Sequence, residues 1–150
     1  MQQPQARPAH LVQRRVLLAL PIAAATWLLF NRPDRPTFNV KEIGVEEAKA
    51  LITAGAIIVD VRDRTAFAAR HLVGALSAPV DELAHAIPAA LAAAKAQSIV
   101  VYCGDGVTHG PQGTELLNKA GYARAVNLKP GIEGWAKAGL PIEYANAKIG

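Results

Sequence analysis

Cysteine is almost absent from this sequence, which has one thiol, Cys103, in 150 residues. An internal disulfide is thereby excluded, and the thiol is free, paired with another molecule, or reactive. The four histidines fall into no metal-ligand spacing, and no Walker or Rossmann glycine motif is present, so neither a metal nor a cofactor is expected. Aromatic residues make up only 5% of the chain, with no basic stripe interleaved among them. Nucleic acid is therefore not an expected partner, despite a net charge of +4. That charge belongs to one end. Arg7, Arg14, Arg15, Arg32 and Arg35 precede residue 36 against Asp34 alone, and the rest of the chain balances 11 basic with 11 acidic residues. There is no internal repeat, and a composition 51% hydrophobic and 19% charged is that of one globular domain.

The basic end, residues 1–15, leads into an apolar segment, residues 16–30 (VLLALPIAAATWLLF), bounded by Arg15 and Arg32. As a helix it spans roughly 22 Å, short of a hydrocarbon core of roughly 30 Å, a gap that snorkelling arginines and local thinning of the bilayer can cover. The first expectation is an uncleaved transmembrane anchor. A signal peptide cut near Ala23-Ala24-Ala25 is the alternative, although cleavage there would leave Trp27 to Phe30 exposed on the new N-terminus. A third reading is a buried helix. The arginine bias favours a cytoplasmic N-terminus, hence a single-pass protein of a bacterial inner membrane whose domain faces the periplasm. Residues 31–39 carry two prolines and read as a linker, and residues 40–145 as the domain.

Within the domain, residues 46–52 show helical spacing and Gly55 supplies a stop. The runs 56–61 (AIIVDV) and 98–102 (SIVVY) are apolar, β-branched and of strand length, as in strands buried on both faces. Shorter strands are expected at 75–78 and 123–128. Helices are expected at 65–70, at 81–94 with an interruption at Pro88, at 111–120, and at 131–137. Alternating strands and helices imply an α/β fold, a small, mainly parallel sheet flanked by helices on both faces.

Cys103 stands where the strand 98–102 ends, and ligands in open parallel sheets bind at the carboxyl ends of strands. The following loop contains Gly104, Gly106 and Gly110 and runs into a helix N-terminus. Backbone N–H groups turned inward by such a loop, together with the helix dipole, favour an anion and a thiolate. Cys103 is accordingly a candidate nucleophile, with a buried structural cysteine as the competing reading.

Three ordered motifs then resemble the rhodanese family. Asp60-Val61-Arg62 with Phe67 and His71 to Ala75 is similar to its first signature, Val101-Tyr102-Cys103 with the glycine loop to its active site, and Asn127 to Ile132 with Trp135 and Gly139-Leu140-Pro141 to its closing signature. The resemblance covers about residues 40–143 and implies a rhodanese-like fold. It also implies a sulfurtransferase whose Cys103 takes sulfane sulfur from a small sulfur-containing anion or a persulfide and passes it to a thiol acceptor, protein acceptors included. The loop Gly104, Asp105, Gly106, Val107, Thr108 and His109 would supply the anion cradle through its backbone amides, with Asp60 and Arg62 in support at a strand end. His109 either donates to a bound anion or faces solvent. His71 is expected to be structural, and Trp135 to be core or pocket wall.

This chain departs from the family pattern where charge matters. Family loops often read C-x-x-G-x-R, and Thr108 holds the arginine position here, while Asp105 adds a negative charge to the cradle. The C-x5-R of phosphatase and arsenate-reductase relatives is also unmet, since His109 holds its last position and cannot clamp an oxyanion as guanidinium does. A binding or partner-dependent sulfur-relay module on the same fold is the alternative of a different class.

Overall fold

The computed structural model describes residues 36–144 and, before them, Trp27. The chain divides after residue 36, and the sheet and its helices belong to the second of the two units. The expected anchor, residue 27 apart, and most of the expected linker lie outside the described residues. Among the described residues no helix is long and apolar enough to cross a membrane.

Five short parallel strands form the sheet. In chain order they are β1 (Glu42–Ile43), β2 (Ile57–Asp60), β4 (Leu76–Ser77), β5 (Ile99–Tyr102) and β6 (Ala125–Leu128), and their spatial order is β1-β6-β5-β2-β4. Register pairs Asp60 with Tyr102 and with Ser77, and Val101 with Asn127. Side chains alternate across a strand, so the two long apolar runs supply both faces at once. Val59, Val61, Ile99, Val101, Cys103 and Ala125 enter one core with Leu83, Leu91, Leu117 and Tyr122. Ile58, Val100, Tyr102, Val126 and Leu128 enter the other with Ala48, Leu72, Ile132 and Trp135.

The first face is covered by α3 (Val80–Leu83) and α4 (His109–Lys119), and the second by α1 (Val45–Thr53) and α5 (Gly131–Lys137). A remaining helix, α2 (Arg64–Ala69), follows β2 and is capped by Asp63, whose carboxylate accepts from the Ala66 amide at 2.8 Å. A second, two-stranded sheet pairs β3 (Arg70–Leu72) antiparallel with β7 (Ile142–Tyr144).

The expected α/β architecture with a mainly parallel, doubly covered sheet is what the chain adopts. The helical segment expected over 81–94 breaks at Pro88 as expected, but it is shorter on both sides of the break. The segment forms α3 and a separate 3-10 turn, Ala89–Leu91. Pro88 lacks an N–H and biases Ile87 away from helical geometry, which outweighs the alanine propensity around it. α4 begins at His109, two residues before the expected start, so Pro111 lies inside the first turn, where its missing N–H costs nothing. Gly55 stops α1 as expected, with φ at +92°.

Candidate active site

Cys103 is the first residue past β5, and the alternation of that strand carries its side chain to the α4 face of the sheet. It is only 3% exposed. The Gly106 amide donates to Sγ at 3.2 Å, and Sγ stands 3.6 Å from Asp105 Oδ1. Asp105 Oδ1 also accepts from the Val107 amide at 2.9 Å, closing an Asx-type turn inside the loop. Gly106 has φ at +75°, and a Cβ there would lie 2.5 Å from the Leu128 carbonyl oxygen, so both conformation and space require glycine.

Two neighbouring elements hold the loop from below. The N-terminus of α5 presents its amides to the cysteine turn: Ile132 donates to Cys103 O at 3.0 Å and Glu133 to Gly104 O at 3.1 Å. That contact needs Gly131, since a Cβ there would stand 2.5 Å from both carbonyl oxygens. From β6, the buried Asn127 donates through Nδ2 to Gly106 O at 2.9 Å. Its Oδ1 is buried with no partner among the described residues. Gly110, in the first turn of α4, leaves room for both Asn127 and the thiol, because a Cβ there would collide with Oδ1 and stand 3.3 Å from Sγ.

Above the thiol opens a pocket of about 410 Å³ lined by Cys103, Gly104, Asp105, Thr108, His109 and Glu133. The 11-residue helix α4 begins at its wall, so orphan amides and the positive end of a dipole face the same space.

The comparisons agree with this geometry. The family model for the rhodanese-like domain matches residues 44–138. This chain belongs to the rhodanese-like domain family. The uncharacterized protein YibN of Escherichia coli strain K12 is 33% identical over 107 residues, covering 71% of this chain and 74% of YibN. The thiosulfate sulfurtransferase GlpE of Haemophilus influenzae strain PittEE is 32% identical over 71% of this chain and 98% of its own length. Among solved structures, the rhodanese-like domain of the Anabaena Alr3790 protein superposes with a TM-score of 0.59 at 27% identity, covering 71% of this chain and 82% of that one.

Within this rhodanese-like domain the expected site residues separate into two groups. Cys103, Gly104, Asp105, Thr108 and His109 come together at the pocket. Val107 does not: its side chain is 43% exposed on the surface and its amide is taken by Asp105. The Gly106 amide is taken by Sγ. The expected cradle of amides from Gly104 to Thr108 is therefore narrowed, because two of the five already have acceptors within the loop.

Asp60 and Arg62 form a separate cluster that does not line the pocket. Asp60 is fully buried in register with Tyr102, on the opposite face from Cys103. Arg62 donates through Nε to both of its carboxylate oxygens, at 3.0 and 3.1 Å, and through Nη2 at 2.6 Å. The same Nη2 donates to Arg70 O at 2.7 Å, and the guanidinium lies 5.7 Å from the Tyr102 ring centroid. Burial acts to lower the Arg62 pKa, but the bonds to Asp60 and its charge outweigh this and leave it raised. The Tyr102 hydroxyl is pushed far above the usual phenol range, first by burial and then by the Asp60 charge; it accepts from the Leu72 amide at 3.0 Å. The cluster thus ties β2, β3 and β5 together.

His71 is likewise a tie. Nδ1 lies 2.9 Å from Phe67 O, Nε2 lies 2.9 Å from Glu143, and the ring stacks on Phe67 at 4.0 Å. Trp135 is core, with Nε1 donating to Pro141 O at 3.0 Å. Sequence reasoning missed Asn127 and Glu133. Asn127 carried a signal, a polar residue at an inward position of an apolar strand, whereas nothing in the sequence placed Glu133 over the thiol.

Proposed function

We propose that this chain is a sulfurtransferase in which Cys103 carries a persulfide. The observation that supports the reading best is Sγ lying under an open pocket at a strand end while accepting a backbone N–H bond from Gly106. A thiolate accepts such a bond, and the N-terminus of α4 beside it adds positive potential, set against the Asp105 carboxylate 3.6 Å from Sγ. With thiosulfate as donor, the Cys103 thiolate attacks the outer sulfur; an S–S bond forms, the bond to the sulfonate sulfur breaks, and sulfite leaves with the electron pair. An acceptor thiolate then attacks the outer sulfur of the persulfide, taking that sulfur and returning Cys103 as thiolate. Relatives named sulfurtransferase, such as GlpE, lend support.

A partner-dependent relay or binding module is the second reading, favoured by one observation: among the described residues no guanidinium lines the pocket. We also propose that residues 16–30 tether the domain to a bacterial inner membrane with the domain on the periplasmic side. Membrane fractionation with an alkaline wash, followed by protease accessibility in spheroplasts, tests that placement.

Intact mass of the full chain, after incubation with thiosulfate and separately with polysulfide, tests the activity. One reducible sulfur on the wild type and none on Cys103→Ser is the expected result. No adduct from either donor or from the persulfide of an uncharged thiol, with the thiol open to alkylation, would move the assignment to the module.

A further inference from the structure

The carboxylates of the pocket over Cys103 outnumber its one basic side chain, His109. Asp105 and Glu133 line the pocket, both exposed, and a Cβ on Gly104 would come within 3.9 Å of Glu133 Oε1. Among the described residues no lysine or arginine lines it. Of the cations one helical turn from Glu133 in sequence, Lys129 is engaged with Glu42 at 2.9 Å and Lys137, in the last turn of α5, does not line the pocket. Asp105 is fixed in place by the Val107 amide, so its charge stays beside Sγ rather than swinging into solvent. Glu133 is placed by its own backbone, whose amide is bonded to Gly104 O.

We infer that Asp105 and Glu133 select the sulfur donor by charge, admitting a persulfide carried on a small cationic thiol and disfavouring anionic donors, thiosulfate above all. The inference rests on the sulfur-transfer reading above. In the selected reaction the Cys103 thiolate attacks the outer sulfur of R–S–SH, the new S–S bond forms, the old one breaks, and R–S⁻ departs with the electron pair. An ammonium group on R lies in an attractive field both on approach and as the leaving thiolate forms. A carboxylate or sulfonate there meets two like charges, and thiosulfate must place two negative charges in the same field.

The test varies charge and normalises each reagent's rate at Cys103 to its rate with 2-mercaptoethanol, so that the difference in leaving-thiol acidity cancels; all rates and ratios that follow are so normalised. Cysteamine persulfide and 3-mercaptopropionate persulfide are each generated in situ and offered to the full chain at about pH 8, which keeps imidazolium out of the comparison. Loading of Cys103 is followed by intact mass. The cationic donor is expected to load about tenfold faster or more, the scale set by one unit charge beside two partly solvated carboxylates. The ratio is expected to shrink in Glu133→Gln, to approach unity in Asp105→Asn/Glu133→Gln, and to fall in high salt. A second pair of reagents, cystamine and 3,3′-dithiodipropionate, forms mixed disulfides with Cys103 whether or not the protein transfers sulfur, and the same ratio is expected there. Equal rates within the disulfide pair, or a ratio unmoved by the charge-neutral double variant, would overturn the charge selection. Loss of persulfide loading from every donor, with the disulfide ratio intact, would instead overturn the sulfur-transfer reading.

Discussion

Replacing Arg62 with methionine separates a structural guanidinium from a substrate-binding one. Methionine keeps much of the apolar stem over Tyr102 but removes the charge and every side-chain donor. Asp60, 0% exposed, then loses three bonds from Nε and Nη2 at 2.6 to 3.1 Å, while the residue 62 backbone N–H at 3.0 Å remains. Arg70 O loses its 2.7 Å donor as well. Leaving a buried charge without its partner costs about 3–5 kcal/mol, a large share of the roughly 5–15 kcal/mol that holds a domain together. The midpoint of thermal unfolding is expected to fall by on the order of 15 °C. In the paired variant Asp60→Asn/Arg62→Met the stranded group is a neutral amide, so about half of that loss is expected to return.

Urea unfolding of the full chain in mild detergent measures the loss. Fluorescence of Trp135, 6% exposed in the native fold, is the signal, read in a Trp27→Phe background, and an unchanged m-value confirms that the same surface unfolds. Below the transition, persulfide loading per folded molecule is expected to match wild type within about twofold, because Arg62 does not line the pocket. A destabilisation under about 1 kcal/mol, or loading abolished with stability intact, would refute the separation of the two sites.

Two further substitutions probe the scaffold of the loop. Gly131→Ala combines a φ of +66° with a Cβ 2.5 Å from the carbonyl oxygens of Cys103 and Gly104, and it is expected to cost about 2 kcal/mol or more and to slow Cys103 alkylation in the folded state, as read by urea unfolding and intact mass. Asp63→Ala removes the cap on α2, whose bond to the Ala66 amide is 2.8 Å; a loss of about 1 kcal/mol is expected, with alkylation of Cys103 unchanged.

The parts of the fold legible in the sequence are those with a strong period. The β-branched runs that form β2 and β5, the glycine stop after α1 and the glycine-rich turn after Cys103 each carry a local signal that tertiary packing only reinforces. What escapes is short or non-local. β1 is two residues long, and β3 pairs with β7 across some 70 residues of chain, with His71 opposite Glu143; neither has a period to detect. In the alanine-rich segment Pro88 marks the break, but alanine propensity overstates the helix on either side of it, because propensity is a weak signal beside tertiary packing. At the site, the thiol and its loop can be found from residue types, but the separation of Asp60 and Arg62 from the thiol follows from strand alternation and register. Tyr102 and Cys103 are neighbours in sequence, and their side chains lie on opposite faces of the sheet.

The shape of the cysteine loop and the charge of its pocket are specified by different residues. Shape comes from backbone groups and from residues that leave room: the carbonyls of Cys103 and Gly104 bonded to α5, Gly106 O bonded to Asn127, and glycines at 106, 110 and 131 where a Cβ has no space. Among these only Asn127 contributes a side-chain polar group, and it is uncharged. The side chains exposed on the rim are those of positions 105, 108, 109 and 133, and the negative charge comes from Asp105 and Glu133. Of these only Asp105 enters the loop's bonding, and an asparagine could accept the same Val107 N–H bond. Under the proposed sulfur-transfer reading, rim substitutions change which sulfur compound approaches the thiol while leaving the backbone cradle in place. On that reading the glycine positions keep the shape of the loop while the Asp105 and Glu133 side chains bear on the donor.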